Sequence, residues 1–243
     1  TITIWNATYD KDGNATYKQR WRQWYPHSIG LFYSAMTDNI GLRPVDEEYI
    51  LMGMAAYGDS RKTVDSIKQR LVDSISPPRF KKNLHTGFHD SFCNDGVNKY
   101  DVAAGAQEIA EEMIRDIILK SKSYDTSNNL VFMGGVALNC VANRHLGKYY
   151  KDIWIMPNPG DAGSSLGAAA LAYGKKLQWN DAFLGYEIEG EYPVEEVVDH
   201  LLRHQIAGVA NGKAEFGPRA LGNRSLLADP RRRDLKASLV DLT

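Results

Sequence analysis

Residues 130–172 constrain the fold of this chain more than any other stretch. They begin LVFMGGVALNCVANRHL and, after a short break, continue KDIWIMPNPGDAGSSLGAAALA. Two short apolar runs, Leu130–Met133 and Ile153–Met156, read as buried parallel strands. Each runs into a loop rich in Gly or Pro and then into a helical pattern. The first loop holds Gly134 and Gly135, the second Gly160 and Gly163. A strand, a Gly turn and a helix N-terminus together make an anion site, because Gly lets the backbone approach and unpaired helix N–H groups point at the ligand. Two such units in succession predict an α/β fold and a nucleotide or another phosphate compound. Asp161 stands where that anion would sit. A hard cation between them would take carboxylate and phosphate oxygens together. Alternatively, Asp161 caps the helix that starts near Gly163.

Composition narrows the class. The chain has 243 residues, 43% hydrophobic and 24% charged, with a net charge of -1. This is an ordinary globular composition with no global attraction to nucleic acid. Two Cys, Cys93 and Cys140, make neither a disulfide framework nor a zinc pattern and fit a reducing cytoplasm. No signal peptide is recognisable, and no run approaches the roughly 20 apolar residues of a membrane span. The Asn-X-Ser/Thr triplets at Asn6, Asn14 and Asn223 therefore read as chance matches.

The alternation of Thr1–Tyr9, the turn residues Asp10–Asn14 and the run Ala15–Trp21 predict a hairpin. Opening directly on a strand reads as a piece of something longer. His27 precedes a helix running to Ile40 that Ser28 can cap; its imidazole can meet a ligand or simply pack locally. Asp46–Tyr57 predicts a second helix with acids in its first turn and Gly58 just past its end. Ser60–Ser74 reads as a charged, solvent-facing helix, and Ser76–Lys99 as a long excursion. His85 and His89 have the spacing of a metal pair on a helix, but Gly87 between them argues against one. His200 and His204 repeat the spacing on an amphipathic helix, without the Glu of a zinc hydrolase, and read as a solvated face. Asp101–Lys122 is the clearest helix, its stripe of Val102, Ala106, Ile109, Met113, Ile114, Ile117 and Ile118 set to pack on the sheet. Asn139 and Asn143 either read a ribose or base, or cap a helix.

Gln178–Glu196 reads as a linker or crossing segment, and Gln205–Ala210 as a strand. Residues 211–225 then carry Gly212, Lys213, Gly217, Pro218, Arg219, Gly222, Arg224 and Ser225. This composition is poor for packing, and Arg offers forked donors to phosphate or carboxylate. Arg231–Arg233 reads as a solvated charge run.

Five segments, HSIGLFYSAMT, MGMAAYG, GGVALNCVANRHL, PNPGDAGSSLGAA and EFGPRALGNRSLLADPR, occur in that order. Together they resemble the carbamoyltransferase family of nodulation protein U and the antibiotic O-carbamoyltransferases. The resemblance implies an α/β architecture. Residues 1–178 would form the second half of an actin-like, ASKHA-type ATPase domain, residues 179–204 a linker, and residues 205–243 the start of a YrdC-like domain. It implies ATP and a divalent metal, iron or magnesium-like, as cofactors. Carbamoyl phosphate and ATP would give carbamoyl-adenylate, and the carbamoyl group would pass to the hydroxyl of a small acceptor. By motif match, Gly134, Gly135 and Asn139 lie on the adenosine side, with Gly160, Gly163 and Ser225 as further cofactor contacts. Asp161 is a metal ligand beside an H-x-x-x-H pair outside this chain, and His85 and His89 are not that pair. Arg219, Arg224 and Lys213 handle the donor and the nucleotide phosphates, and His27 joins the catalytic set. The family commonly has Lys where Ile50 stands, Pro where Ala56 stands and Arg where Lys213 stands. The resemblance is compatible with a cytoplasmic homodimer. Two other functions remain open: a tRNA-modifying enzyme of the threonylcarbamoyl type, and a nucleotide-binding module without transfer activity.

Overall fold

A computed structural model describes residues 1–88, 90–124 and 127–231. The chain divides into two units, Thr1–Lys176 and Leu177–Thr243.

The first unit opens with the antiparallel hairpin β1 (Ile2–Tyr9) and β2 (Ala15–Gln23). Its turn is closed by Asp10, whose carboxylate accepts the backbone N–H groups of Asp12 at 2.9 Å and Asn14 at 2.8 Å. Helix α1 (Ile29–Asn39) buries Phe32, Tyr33, Ala35 and Met36, the spacing of one helical face. Ser28 is its N-cap residue, but its side chain makes no capping bond. Helix α2 (Glu48–Ala55) follows. Helix α3 (Val64–Leu71) differs from the expected solvent-facing helix: Val64, Ile67 and Leu71 form an apolar edge that is buried. A short antiparallel pair, β3 (Val72–Ser74) and β4 (Arg79–Phe80), comes next.

Helix α4 (Lys99–Ser123) is the axis of the unit. Asn98 caps it by accepting the Tyr100 N–H at 3.0 Å, and Lys120 and Lys122 sit in the last turn where the dipole favours cations. Its buried stripe contains every apolar residue expected from the sequence. It packs against α1, α2 and α3, so its main partners are helices and not the sheet alone. Gly58 does not end α2; a Cβ there would lie 1.9 Å from the Tyr100 carbonyl oxygen. The absent side chain lets the 58–63 segment close on the start of α4. There Asp101 accepts the Asp59 N–H at 2.7 Å and the Lys62 ammonium at 2.9 Å. Those two donors hold the Asp101 carboxyl below its ordinary range.

Strands β5 (Asn129–Val131) and β6 (Asp152–Trp154) run parallel, with Leu130 opposite Ile153. They are shorter than the apolar runs and not fully buried: Val131 is 62% exposed. The short helix α5 (Cys140–Asn143) follows the β5 loop, and α6 (Ser164–Tyr173) follows the β6 loop. Despite its Ala- and Leu-rich sequence, α6 has no buried residue.

The second unit holds β7 (Phe183–Ile188), α7 (Val194–His204), β8 (Ile206–Ala210), β9 (Gly212–Glu215) and β10 (Arg224–Ala228). Strand β7 pairs with β9 and β8 with β10, both antiparallel. Residues 179–204, expected as a linker, are therefore largely regular structure within this unit. Their scattered Gly and Pro mark the turns around β7 and α7. Among the described residues no helix is long and apolar enough to cross a membrane.

Candidate functional site

In the first unit the parallel register brings the C-terminal ends of β5 and β6 to one edge, where ligands of α/β sheets bind. The loops that leave them touch. The Gly134 N–H donates to the Pro159 carbonyl at 2.7 Å, and a Cβ on Gly160 would sit 3.9 Å from the Gly135 Cα. The glycines serve different ends. Gly134 has φ +98°, a conformation that L side chains rarely adopt. Gly163 has an ordinary φ but no room, since a Cβ would meet the Asn158 carbonyl oxygen at 1.9 Å. Gly135 has neither constraint, for a Cβ there would meet nothing within 4 Å. Its backbone is open at the start of the 3₁₀ turn Gly135–Leu138.

Asp161 begins the turn Asp161–Gly163, with its side chain exposed. It does not cap α6: the N-cap residue is Gly163, and no side chain caps the helix. Of the two sequence readings, capping is the one the geometry removes. Among the described residues no group of three or more His, Cys, Asp or Glu could hold a metal ion. One exposed carboxylate is no coordination sphere for a hard cation, which takes six or more oxygens, so these residues alone do not fit a metal. His85 lies in a 3₁₀ turn, Leu84–Thr86, and His89 is outside the described residues.

Asn139, expected at a ribose or base, faces inward. Its Oδ1 accepts the Gln107 amide at 3.1 Å and the Ala142 N–H at 3.0 Å, and its Nδ2 donates to Gln107 at 2.9 Å. It is buried and caps α5, which was the other sequence reading. Asn143 likewise turns to its own loop, donating to the Ala137 carbonyl at 2.7 Å. His27 accepts the Phe80 N–H on Nδ1 at 3.1 Å, which leaves Nε2 to carry the proton. A Cβ on Gly30, three residues on, would touch Val136 of the first glycine loop at 3.5 Å, so the start of α1 borders that loop.

The second unit holds the other candidates on one loop, and the loop is organised by a residue the sequence reading passed over. Glu215 accepts three backbone N–H groups, from Leu221 at 2.8 Å, Asn223 at 2.7 Å and Arg224 at 3.2 Å. Burial alone would raise its pKa, but backbone N–H groups including these three outweigh that and hold it at about 2. Arg224, expected to hold phosphate, is committed elsewhere. Its terminal nitrogens donate to the carbonyls of Tyr186 at 2.9 Å, Asn211 at 2.9 Å, Gly212 at 3.3 Å and Asn223 at 2.7 Å. That is a brace tying β7, β9 and β10. Ser225, expected at the cofactor, is buried and accepts the Gly222 N–H at 2.9 Å. Lys213 and Arg219 keep their side chains exposed, Arg219 with a 3.4 Å bond to the Pro218 carbonyl. The signal for Glu215 was available: one acid in a glycine-rich loop whose N–H groups lack partners in any ladder.

A family model described as the carbamoyltransferase N-terminus matches residues 3–170, and one for the carbamoyltransferase C-terminus matches residues 198–241. An uncharacterised protein of Synechocystis is 33% identical over 95% of this chain and 45% of its own length. Nodulation protein NolO of Bradyrhizobium diazoefficiens is 29% identical over 84% of this chain and 44% of its own. The 3'-hydroxymethylcephem-O-carbamoyltransferase of Streptomyces clavuligerus is 25% identical over 84% of this chain and 43% of its own. The chain thus spans less than half the length of each of these relatives.

Proposed function

The chain belongs to the carbamoyltransferase family, and from that premise we propose that it is part of an ATP-dependent O-carbamoyltransferase. Water first cleaves carbamoyl phosphate to carbamate and inorganic phosphate; a carbamate oxygen then attacks the α-phosphate of ATP, forming carbamoyl-adenylate and releasing pyrophosphate. An acceptor hydroxyl then takes the carbamoyl group, releasing AMP and the hydroxyl proton. The acceptor is a small hydroxylated molecule, in keeping with the hydroxymethylcephem named for one relative.

The observation that carries this reading is the joined pair of glycine loops at the edge of the parallel sheet. There Gly135 exposes backbone that no neighbour within 4 Å requires to be bare. That is the surface a nucleotide phosphate or ribose needs. Gly134 and Gly160 shape it, Gly163 closes the second turn, and the start of α1, where Gly30 meets Val136, borders the first loop. Two successive strand–loop–helix units support an actin-like origin for the first unit. The match over residues 198–241 supports a YrdC-like origin for the second. Within the second unit Lys213 and Arg219 are the cations for donor phosphate, held out by the frame that Glu215, Arg224 and Ser225 build. Asp161 would offer one ligand to a divalent metal completed by residues beyond this chain.

The test is carbamoyl-phosphate-dependent exchange of pyrophosphate into ATP by the full-length protein without acceptor. Exchange is expected. ATP binding without exchange would leave a nucleotide-binding module, a reading favoured by the engagement of Arg224 in the fold.

A further inference from the structure

One polar residue interrupts the apolar stripe of α4. Gln107 is 5% exposed and lies among Ala103, Ala110 and Ile114. Its side-chain amide has two acceptor positions and two N–H donors, and all four are filled. Oε1 accepts the Tyr33 hydroxyl at 2.6 Å and the Asn139 amide at 2.9 Å. Nε2 donates to Asn139 at 3.1 Å and to Glu111 at 2.9 Å. Tyr33 is itself buried on α1, and burial raises its hydroxyl so that it stays a neutral donor. Asn139 closes the 3₁₀ turn that Gly135 opens. One amide therefore ties α1, α4 and the end of the first glycine loop together. Such a cost in buried polar groups is recovered only when every member is satisfied; the network reaches the end of the glycine loop through Asn139, and Glu111 continues it to His145 at 3.1 Å and Arg144 at 3.8 Å.

We infer that Gln107, oriented by Tyr33 and Glu111, is the positioning residue of the Gly134–Gly135 loop. The consequence for binding rests on the nucleotide reading above; the positioning itself does not. Asn139 cannot rotate outward without breaking both halves of its pair with Gln107, so the loop end is fixed before any ligand arrives. The nearest apolar match, Gln107→Met, fills the space and removes all four bonds. Tyr33→Phe removes one and leaves the amide pair.

The experiment uses the full-length protein with two readouts. Hydrogen exchange of the Gly134, Ala137 and Asn139 amides, without ligand, reports the loop. Calorimetric titration with ATP reports binding. In Gln107→Met the loop amides should exchange about tenfold faster and ATP should bind about tenfold more weakly, the equivalent of one lost hydrogen bond. Amides in the middle of α3 should be unchanged, and Tyr33→Phe should show a smaller effect of the same sign. Loop exchange at the wild-type rate in Gln107→Met would overturn the inference; faster loop exchange with unaltered ATP affinity would support the positioning and overturn its consequence for binding. A wild-type protein that binds no ATP would refute the nucleotide reading instead, and the exchange data alone would then decide the role of Gln107.

Discussion

The backbone N–H of Gly134 donates to the carbonyl of Pro159 across 2.7 Å, so the loops that leave two neighbouring strands form one surface. Neither loop is placed by its own sequence alone. The parallel pairing of Leu130 with Ile153 sets their distance, and this bond sets their contact.

Gly134 and Gly135 should part company on mutation. Gly134→Ala forces a side chain into φ +98° and should cost about 1–3 kcal/mol of stability by denaturant titration. Gly135→Ala meets nothing and should leave stability within about 0.5 kcal/mol, while calorimetry shows weaker ATP binding. Equal ATP affinity would make Gly135 an ordinary turn residue.

Arg219 and Arg224 are expected to separate as well. Arg224→Lys keeps the charge but loses the fork that reaches four carbonyls, and should destabilise the second unit by about 1.5–3 kcal/mol. Faster hydrogen exchange in β9 and β10 would show it. Arg219→Lys should leave those amides protected and lower the pyrophosphate exchange rate. The reverse pattern would return Arg224 to the donor site.

Glu215 makes the second unit acid-sensitive in a defined window. Its pKa falls from an ordinary 4.5 to about 2 on folding. A depressed carboxyl contributes stability that is fully present above its unfolded value and is lost as pH falls through the folded one. Protection of the Leu221 and Asn223 amides should therefore decline between about pH 4.5 and pH 2. Asp229, held at about 2 by the Arg231 side chain, adds to the same trend. Glu215→Gln should flatten the decline without removing it. A slope identical to wild type would show that the carboxylate does not organise the loop.

Gly58→Ala tests the closure on α4. The added carbon would overlap the Tyr100 carbonyl, so the 58–63 segment must shift, at about 1–3 kcal/mol. The variant should melt at lower temperature; an unchanged melting point would mean that the segment yields freely.

The repeating units were legible because periodicity is local. The stripe of α4, the hairpin turn at Asp10 and the two strand–loop–helix units all follow from spacing and turn chemistry. What the sequence hid was pairing at a distance. Asn139 carries the same amide whether it faces a ribose or Gln107, and those two residues lie 32 positions apart. Ser60–Ser74 looked solvated because charge outnumbers its apolar edge, yet three residues suffice to dock α3. Residues 179–204 looked like a linker because breakers mark turns as readily as they mark disorder. Arg224 looked like a phosphate ligand because a guanidinium suits carbonyl oxygens as well as phosphate oxygens.

The brace formed by Arg224, Glu215 and Ser225 changes what the GPRALGNRS signature reports. Arg224 and Ser225 within it, and Glu215 two residues ahead of it, are retained by the needs of the fold, independent of whether any carbamoyl group is ever moved. A descendant that had lost its chemistry would go on displaying them. Presence of the signature therefore dates the ancestry of a chain and does not by itself tell a working copy from a relic.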